Sequence, residues 1–305
     1  MKETLLIIDV YGLLFRAYYG IKPMIVNENL NINAVYGAIK TIFSIAQEVQ
    51  HSYLLLALDG SGANKRHEIY PEYKANRIKC PEDLKPQFAI LDSFLSTMQA
   101  GNIRYDGLEA DDIINTYAKF AEKTGLNVVI ATFDKDLMQL VSDKVSVYSV
   151  KTKSFIHSAQ VFENFGVLPD QIADYLALIG DSSDNIPGVM GIGPKKAIEL
   201  LAKYSNLDGI YNNISAISPS KTGDLLAAGR DSAYLSLSLT KLIYSEKLLE
   251  EFPINTCNKL NFAEISQNVV DLCKKYPSEA LLKIFNIKND ADIKVVDSQG
   301  LFNFA

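Results

Sequence analysis

The sequence predicts an α/β protein: a mostly parallel central sheet with flanking helices, followed by a smaller helical domain. Three observations carry this. Three short apolar runs each finish in aspartate, at residues 5–9, 53–59 and 128–134. Patterns of helical spacing separate them. After about residue 158 the texture turns wholly helical, punctuated by turn signals.

The first run, Leu5-Leu6-Ile7-Ile8-Asp9, has no polar alternation, as expected of a strand buried on both faces of a parallel sheet. Ile39, Ile42, Phe43, Ile45 and Ala46 then keep helical spacing. The second strand is Tyr53-Leu54-Leu55-Leu56-Ala57-Leu58, closed by Asp59. Residues 60–86 suit neither a strand nor a core helix. They are polar, basic and tyrosine-bearing, with Pro71, Pro81 and Pro86, and read as an excursion from the fold. Ile113, Tyr117, Phe120 and Ala121 mark another helix, and Val128-Val129-Ile130-Ala131-Thr132-Phe133 a third strand closed by Asp134. Helical patterns follow at 158–165, 169–179, 194–203, 206–214, 230–243 and 261–285, separated by Pro187-Gly188, Gly193-Pro194 and Ser218-Pro219. The expected division is an α/β core over 1–180, with an arch region at 60–100 inserted in it, a helical domain over 181–287, and a tail or linker over 288–305.

Composition narrows the function. With 305 residues, 48% hydrophobic and 22% charged, the chain is globular rather than disordered. No apolar run approaches the ~18 residues of a membrane span. The N-terminus does not read as a signal peptide, so a cytoplasmic location is expected. Three cysteines (Cys80, Cys257, Cys273) exclude a disulfide scaffold, and three histidines (His51, His67, His157) argue against a histidine-rich metal site.

The chemistry lies in carboxylates. Strand ends supply Asp9, Asp59 and Asp134. In such sheets ligands sit beyond the carboxyl ends of the strands, so these three would share one rim. Three dense acidic motifs join them: Glu109-Ala110-Asp111-Asp112, Asp134-Lys135-Asp136 and Asp181-Ser182-Ser183-Asp184. A single strand-end aspartate is usually a cap or turn residue. Nine carboxylates placed for one rim are a far less probable coincidence. Like charges ~4 Å apart repel by several kcal/mol at intermediate dielectric. Hard divalent cations relieve this, and an oxygen-only set suits Mg²⁺, with Mn²⁺ as a substitute. Two or more such ions form the clamp used for in-line phosphoryl displacement.

The remaining charge fits a polyanionic substrate. The net charge of −6 becomes +3 once the nine carboxylates are set aside. Residues 60–79 carry Lys65, Arg66, Lys74, Arg77 and Lys79 against Glu68 and Glu72, interleaved with Tyr70 and Tyr73, which can stack on bases. Gly188-Val189-Met190-Gly191-Ile192-Gly193-Pro194-Lys195-Lys196 opens a helix whose free N–H groups could face a phosphate. It is not a Walker A loop, and no strand precedes it as a dinucleotide fingerprint would need.

In order along the chain, Leu6-Ile7-Ile8-Asp9 with Phe15-Arg16-Ala17, Arg66-His67-Glu68, Tyr73-Lys74-Ala75-Asn76-Arg77, Gly107-Leu108-Glu109-Ala110-Asp111-Asp112, Asp134-Lys135-Asp136-Leu137, Gly180-Asp181-Ser182-Ser183-Asp184-Asn185-Ile186-Pro187-Gly188 and Gly191-Ile192-Gly193 resemble the 5′→3′ exonuclease domain of bacterial DNA polymerase I, within the flap-endonuclease-like 5′ nucleases. The likeness runs from about residue 4 to 286. It implies a helical arch, a duplex-binding helical domain with a helix–turn–helix glycine turn, and hydrolysis of DNA at 5′ flaps, nicks and gaps in replication and repair. It implies a first metal region at Asp9, Asp59, Glu109, Asp111 and Asp134, and a second at Asp136, Asp181 and Asp184, with Asp112 as a further candidate. Lys74 and Arg77 would contact the scissile phosphate, with Arg16 and Arg66 supporting it. Tyr73 would stack on a terminal base. Gly188, Gly191, Gly193, Lys195 and Lys196 would grip the duplex, and Ser183 with nearby carbonyls would hold K⁺. The implied partners are branched or nicked duplex DNA and a polymerase domain in cis or in trans, with no membrane, for a monomeric protein. Val10 and Phe133 depart from the family, which prefers glycine and a small residue there.

Three other readings compete. An aspartyl phosphatase would need a second carboxylate two residues after Asp9, where Tyr11 stands. A related RNA nuclease would share a four-carboxylate core. A metal-free DNA-binding module would keep the surface without the chemistry.

Overall fold

The computed structural model describes residues 3–257, apart from 28, 63, 99 and 219, together with 267–285 and 287. The expected tail at 288–305 and part of the helical pattern at 261–285 lie outside the described residues. Eight strands occur among the described residues: β1 (Thr4–Asp9), β2 (Ile25–Val26), β3 (Leu30–Asn31), β4 (Tyr53–Leu58), β5 (Gly101–Arg104), β6 (Asn127–Thr132), β7 (Val145–Ser149) and β8 (Ser154–Ile156). Six form one sheet in the order β5-β4-β1-β6-β7-β8, parallel except for β8 at the edge, while β2 and β3 pair separately.

The continuous apolar runs serve two cores. In β1, Leu5 and Ile7 point into one core and Leu6 and Ile8 into the other, all fully buried. Two-residue alternation makes this unavoidable in a strand. Each such side chain contributes about 1.5–3 kcal/mol. One face is covered by α1 (Val10–Gly20), α2 (Asn33–Glu48) and, beyond the short α3 (Lys65–Ile69), α4 (Lys85–Thr97). The other face is covered by α5 (Ala110–Lys123) and by helices that follow the sheet.

The helices that share this core are α6 (Ser158–Phe165), α7 (Ile172–Ile179), α8 (Pro194–Tyr204), α9 (Leu207–Asn212), α10 (Ile214–Ile217), α11 (Lys221–Ala228), α12 (Arg230–Thr240) and α13 (Glu246–Glu251), with α8 to α12 packed in succession and back onto α7. Two more, α14 (Gln267–Lys275) and α15 (Glu279–Ile284), return to pack near α4 and α2. Since α7 packs against α8 and α12, the turn at Gly180–Asp181 lies inside the helical half rather than at its border.

The chain runs from β1 outward to β4 and β5, then crosses back through α5 to β6 on the other side of β1. Connections therefore diverge around β1, and this switch point opens a crevice at the carboxyl ends of the strands.

The expected arch takes a different form. The helix α4 belongs to the core layer, burying Ile90, Leu91, Phe94 and Leu95, so the excursion ends near residue 84 rather than 100. Its first part rests on the helical half. Tyr73 packs with Ile186 and Leu239, and the Lys74 N–H donates to the Asp184 carbonyl at 2.9 Å.

Candidate active site

Strand ends and helix starts build the site. Asp9 ends β1 and caps α1, its carboxylate accepting from the Gly12 N–H at 3.4 Å and from the Thr132 hydroxyl at 3.0 Å. Asp59 follows β4 and accepts from the Ala110 N–H at 2.9 Å, at the start of α5. Asp134 follows β6, its N–H held by Thr132 Oγ1 and its Oδ1 accepting from the Asp136 N–H at 2.8 Å. Asp9, Asp59 and Asp134 line one cleft of about 450 Å³ with Glu109, Asp111, Lys74 and Arg77. Strand order places Asp59, Asp9 and Asp134 on consecutive strand ends, which neighbour one another at ~4.8 Å spacing.

Their electrostatics show mutual crowding. Burial pushes Asp9 up to about 6, with the charges of Asp59 and Asp134 adding to it. Asp111 is raised by burial and by Asp134 and Asp9. Asp134 is raised by burial, with Asp184 contributing. Asp136, which does not line this cleft, is pushed up to about 7 by burial and then by Asp134, Asp181 and Asp184. Its buried Oδ1 has no hydrogen-bond partner among the described residues. Asp181 goes the other way. Burial opposes its charge, but the Lys135 ammonium at 2.8 Å and the Ser183 hydroxyl at 2.5 Å hold it below the usual carboxylate range.

Basic groups are threaded between these acids. Lys74 Nζ donates to Glu109 Oε1 at 2.6 Å and lies 4.0 Å from Asp184. Arg77 donates to Asp184 Oδ1 through Nε at 3.1 Å and Nη2 at 2.7 Å. Lys74 has φ +59, a left-handed conformation that costs a lysine roughly 1–2 kcal/mol. Strain of that kind concentrates at functional sites. Arg16 is exposed and lies over the Phe133 ring, 4.8 Å from its centroid. Among the described residues, no three acidic side chains close into a finished metal shell.

Three expected roles need correction. Asp112 does not face the cleft. It is fully buried, and both oxygens accept from Arg66, at 2.7 and 2.8 Å, while Oδ1 also takes the Ile243 N–H at 2.9 Å. A carboxylate so occupied has no lone pair directed at a metal. Arg66, 2% exposed, is consumed by Asp112, Glu109 and the Leu239 carbonyl, which puts it out of reach of a phosphate. Tyr73, 4% exposed, donates its hydroxyl to Glu109 at 3.2 Å and cannot stack on a base from that position.

The glycine turn lies elsewhere on the surface. Gly191, Gly193, Lys195 and Lys196 line a concavity of about 560 Å³ with Lys221 and Thr222, at the start of α8. Gly188 has φ +64, and a Cβ there would sit 2.3 Å from the Gly180 nitrogen, so only glycine fits.

Sequence reasoning missed Lys135 as the partner of Asp181 and Thr132 as the orienter of Asp9. Lys135 was visible between two aspartates. Thr132 carried no signal, since only the sheet register brings it beside Asp9.

The comparisons show the family and the fold. Residues 4–166 match the family model of the 5′–3′ exonuclease N-terminal resolvase-like domain, and residues 167–267 that of the 5′–3′ exonuclease C-terminal SAM fold. The chain is 36% identical over 291 residues to DNA polymerase I of Borreliella burgdorferi, covering 93% of this chain and 31% of that polymerase. It is 36% identical over 211 residues to a 5′–3′ exonuclease of Aquifex aeolicus, covering 69% of this chain and 73% of that protein. The chain thus spans about a third of the length of the DNA polymerase I relatives it matches. Among solved structures it shares its fold with bacteriophage T5 5′-exonuclease bound to zinc (TM-score 0.66, 24% identity, 96% of this chain and 99% of that one). It also does so with the T5 D15 flap endonuclease in a pseudo-enzyme–product complex with DNA and metal ions (TM-score 0.66, 23% identity, 97% of this chain and 100% of that one). With both domain models matched in order over a crevice of strand-end carboxylates, the chain belongs to the 5′–3′ exonuclease family.

Proposed function

We propose that the chain is a divalent-metal-dependent 5′→3′ exonuclease and flap endonuclease that hydrolyses DNA phosphodiesters at 5′ flaps, nicks and gaps. The observation that carries this is the row of crowded carboxylates on adjacent strand ends, lining one cleft with Lys74 and Arg77.

The residues fit Mg²⁺. The donors are all oxygens, four of the aspartates are pushed upward, and Asp136 Oδ1 is buried without a partner among the described residues. Mg²⁺ keeps several waters and takes one or two carboxylates directly, so an open row suits it better than a closed cage. Asp9, Asp59, Asp111 and Asp134, with Glu109, would hold one ion, and Asp136, Asp181 and Asp184 a second, one or two of each group directly and the rest through the ion's waters. When bound, such ions supply an activated water and offset charge on the attacking and leaving oxygens.

The protein's own groups do the positioning. Lys74 and Arg77 exchange their carboxylate partners for the scissile phosphate, and the strained Lys74 backbone aims the ammonium into the cleft. Arg16, held over Phe133, supports the same phosphodiester. Thr132 and the Gly12 N–H keep Asp9 fixed in orientation. The α8 N-terminus with Lys195 and Lys196 grips the duplex backbone, and Ser183 with nearby carbonyls is the K⁺ site. A polymerase domain, as in the relatives, is the partner proposed in cis or in trans. Among the described residues no helix is long and apolar enough to cross a membrane; a monomer acting in the cytoplasm completes the proposal.

The test is a 5′-labelled flap incubated with Mg²⁺ or with EDTA, products sized to the nucleotide. Mg²⁺-dependent release of short 5′ fragments is expected. Intact flap under both conditions rejects the proposal.

A further inference from the structure

The cleft wall formed by the first turn of α1 carries a polar group that the carboxylates and Lys74 do not account for. Tyr11 is the one cleft-lining side chain, among the described residues, that is uncharged and polar. Its ring is fixed edge-on against Phe88, with centroids 4.9 Å apart at 81°. Its hydroxyl oxygen accepts a hydrogen bond from Arg104 Nη2. Arg104 is itself anchored by both oxygens of Asp92, at 3.1 and 3.0 Å. With the oxygen occupied in this way, the hydroxyl proton must point elsewhere, and among the described residues it meets no acceptor. A phenol held this rigidly is a preorganised donor, and preorganisation lowers the cost of binding.

Position gives the donor a purpose. Arg104 ends β5, so the rim reads Arg104, Asp59, Asp9 and Asp134 across four adjacent strands, with Lys135 just beyond. A nucleic-acid strand laid across this row meets repulsion from the acids and needs donors where it enters and leaves. Lys74 and Arg77 serve the part of the cleft beside Glu109 and Asp184. Tyr11, backed by Arg104, stands at the β5 end.

We propose that Tyr11 is a substrate-positioning residue: its hydroxyl, oriented by the Arg104–Asp92 pair, donates to a non-bridging oxygen of a phosphate flanking the scissile one. This rests on the nuclease reading above. Arg104 acts through Tyr11 and lends positive charge behind the donor.

The test uses the full chain. Tyr11→Phe keeps the Phe88 contact and removes only the hydroxyl. Affinity for a fluorescent 5′ flap is measured by anisotropy in Ca²⁺, and single-turnover cleavage in Mg²⁺. Tyr11→Phe is expected to weaken affinity on the order of tenfold, the size of a lost hydrogen bond to a charged acceptor, and to leave the maximal rate nearly unchanged. Arg104→Met is expected to lose less, and the double variant no more than Tyr11→Phe alone. On flaps carrying one neutral methylphosphonate, the difference between wild type and Tyr11→Phe should vanish at one position flanking the cut. Wild-type affinity in Tyr11→Phe, or a deficit that persists on every methylphosphonate flap, overturns the proposal. Wild-type cleavage measured alongside separates this outcome from failure of the nuclease reading, because the affinity readout needs no turnover.

Discussion

Replacing Arg66 by methionine tests whether one buried cation fastens the excursion and the helical half to the α/β core. The guanidinium bonds Asp112 twice, at 2.7 and 2.8 Å, and Glu109 at 3.2 Å. It also donates to the carbonyls of Leu239 and Lys241, at 2.8 and 3.3 Å, where α12 ends. Methionine fills similar space but strands Asp112 as a buried carboxylate. Removing one member of a buried pair costs about 3–5 kcal/mol. The two orphaned carbonyls add about 1 kcal/mol or more. The loss is a large part of a total stability of roughly 5–15 kcal/mol. At about 2–4 °C per kcal/mol, the melting temperature should fall by roughly 10–20 °C. The assay is urea unfolding followed by circular dichroism, for Arg66→Met, Asp112→Leu and the double variant. With both charges gone, the double variant should be at least ~2 kcal/mol more stable than additive losses predict. Strict additivity, or a loss below ~1 kcal/mol for Arg66→Met, would mean that the Arg66–Asp112 pair holds nothing together and would return Arg66 to the substrate surface.

Lys74→Ala should slow single-turnover flap cleavage about a hundredfold or more while changing duplex affinity only a few-fold, since a donor aimed at developing charge acts mainly in the transition state. Equal losses in rate and affinity would contradict that role. The pH dependence follows from Asp9 and Asp136, whose folded values of about 6 and about 7 lie above the ordinary 3.8. The folded protein therefore favours their neutral forms. Their stabilising contribution is complete below about pH 4 and is lost as pH rises through about 6 and 7. In EDTA, thermal scans from pH 5 to pH 8 should show the melting temperature falling from this cause. Millimolar Mg²⁺, which binds the ionised forms, should flatten the decline. A metal-independent rise across that window would show these carboxylates to be unstrained.

The rim was legible in the sequence because β-strands obey short rules. An unbroken apolar run must be buried on both faces, a parallel sheet gathers its carboxyl ends on one side, and so Asp9, Asp59 and Asp134 had to approach one another. The glycine turn was visible as a run of glycines, but the reason Gly188 admits no other residue, a positive φ pressed against the Gly180 nitrogen, appears only in the fold. Side-chain partnership was not legible. Arg66, Tyr73 and Asp112 have the residue types of a substrate and metal site, and nothing local distinguishes them from Lys74, Arg77 and Asp111. Their fate is set by contacts across 36 to 173 positions of chain, with Glu109, Asp112 and the Leu239 carbonyl, which turn them inward. The pairing of Arg104 with Tyr11 likewise depends on the end of β5 meeting the first turn of α1, 93 positions away in the chain. Periodicity and strand-end chemistry fixed where charge would collect. Only the packing of α3 and α12 against α5 decided which charged groups face the cleft and which are spent holding it together, because a buried ion must find its counterion wherever the fold puts one.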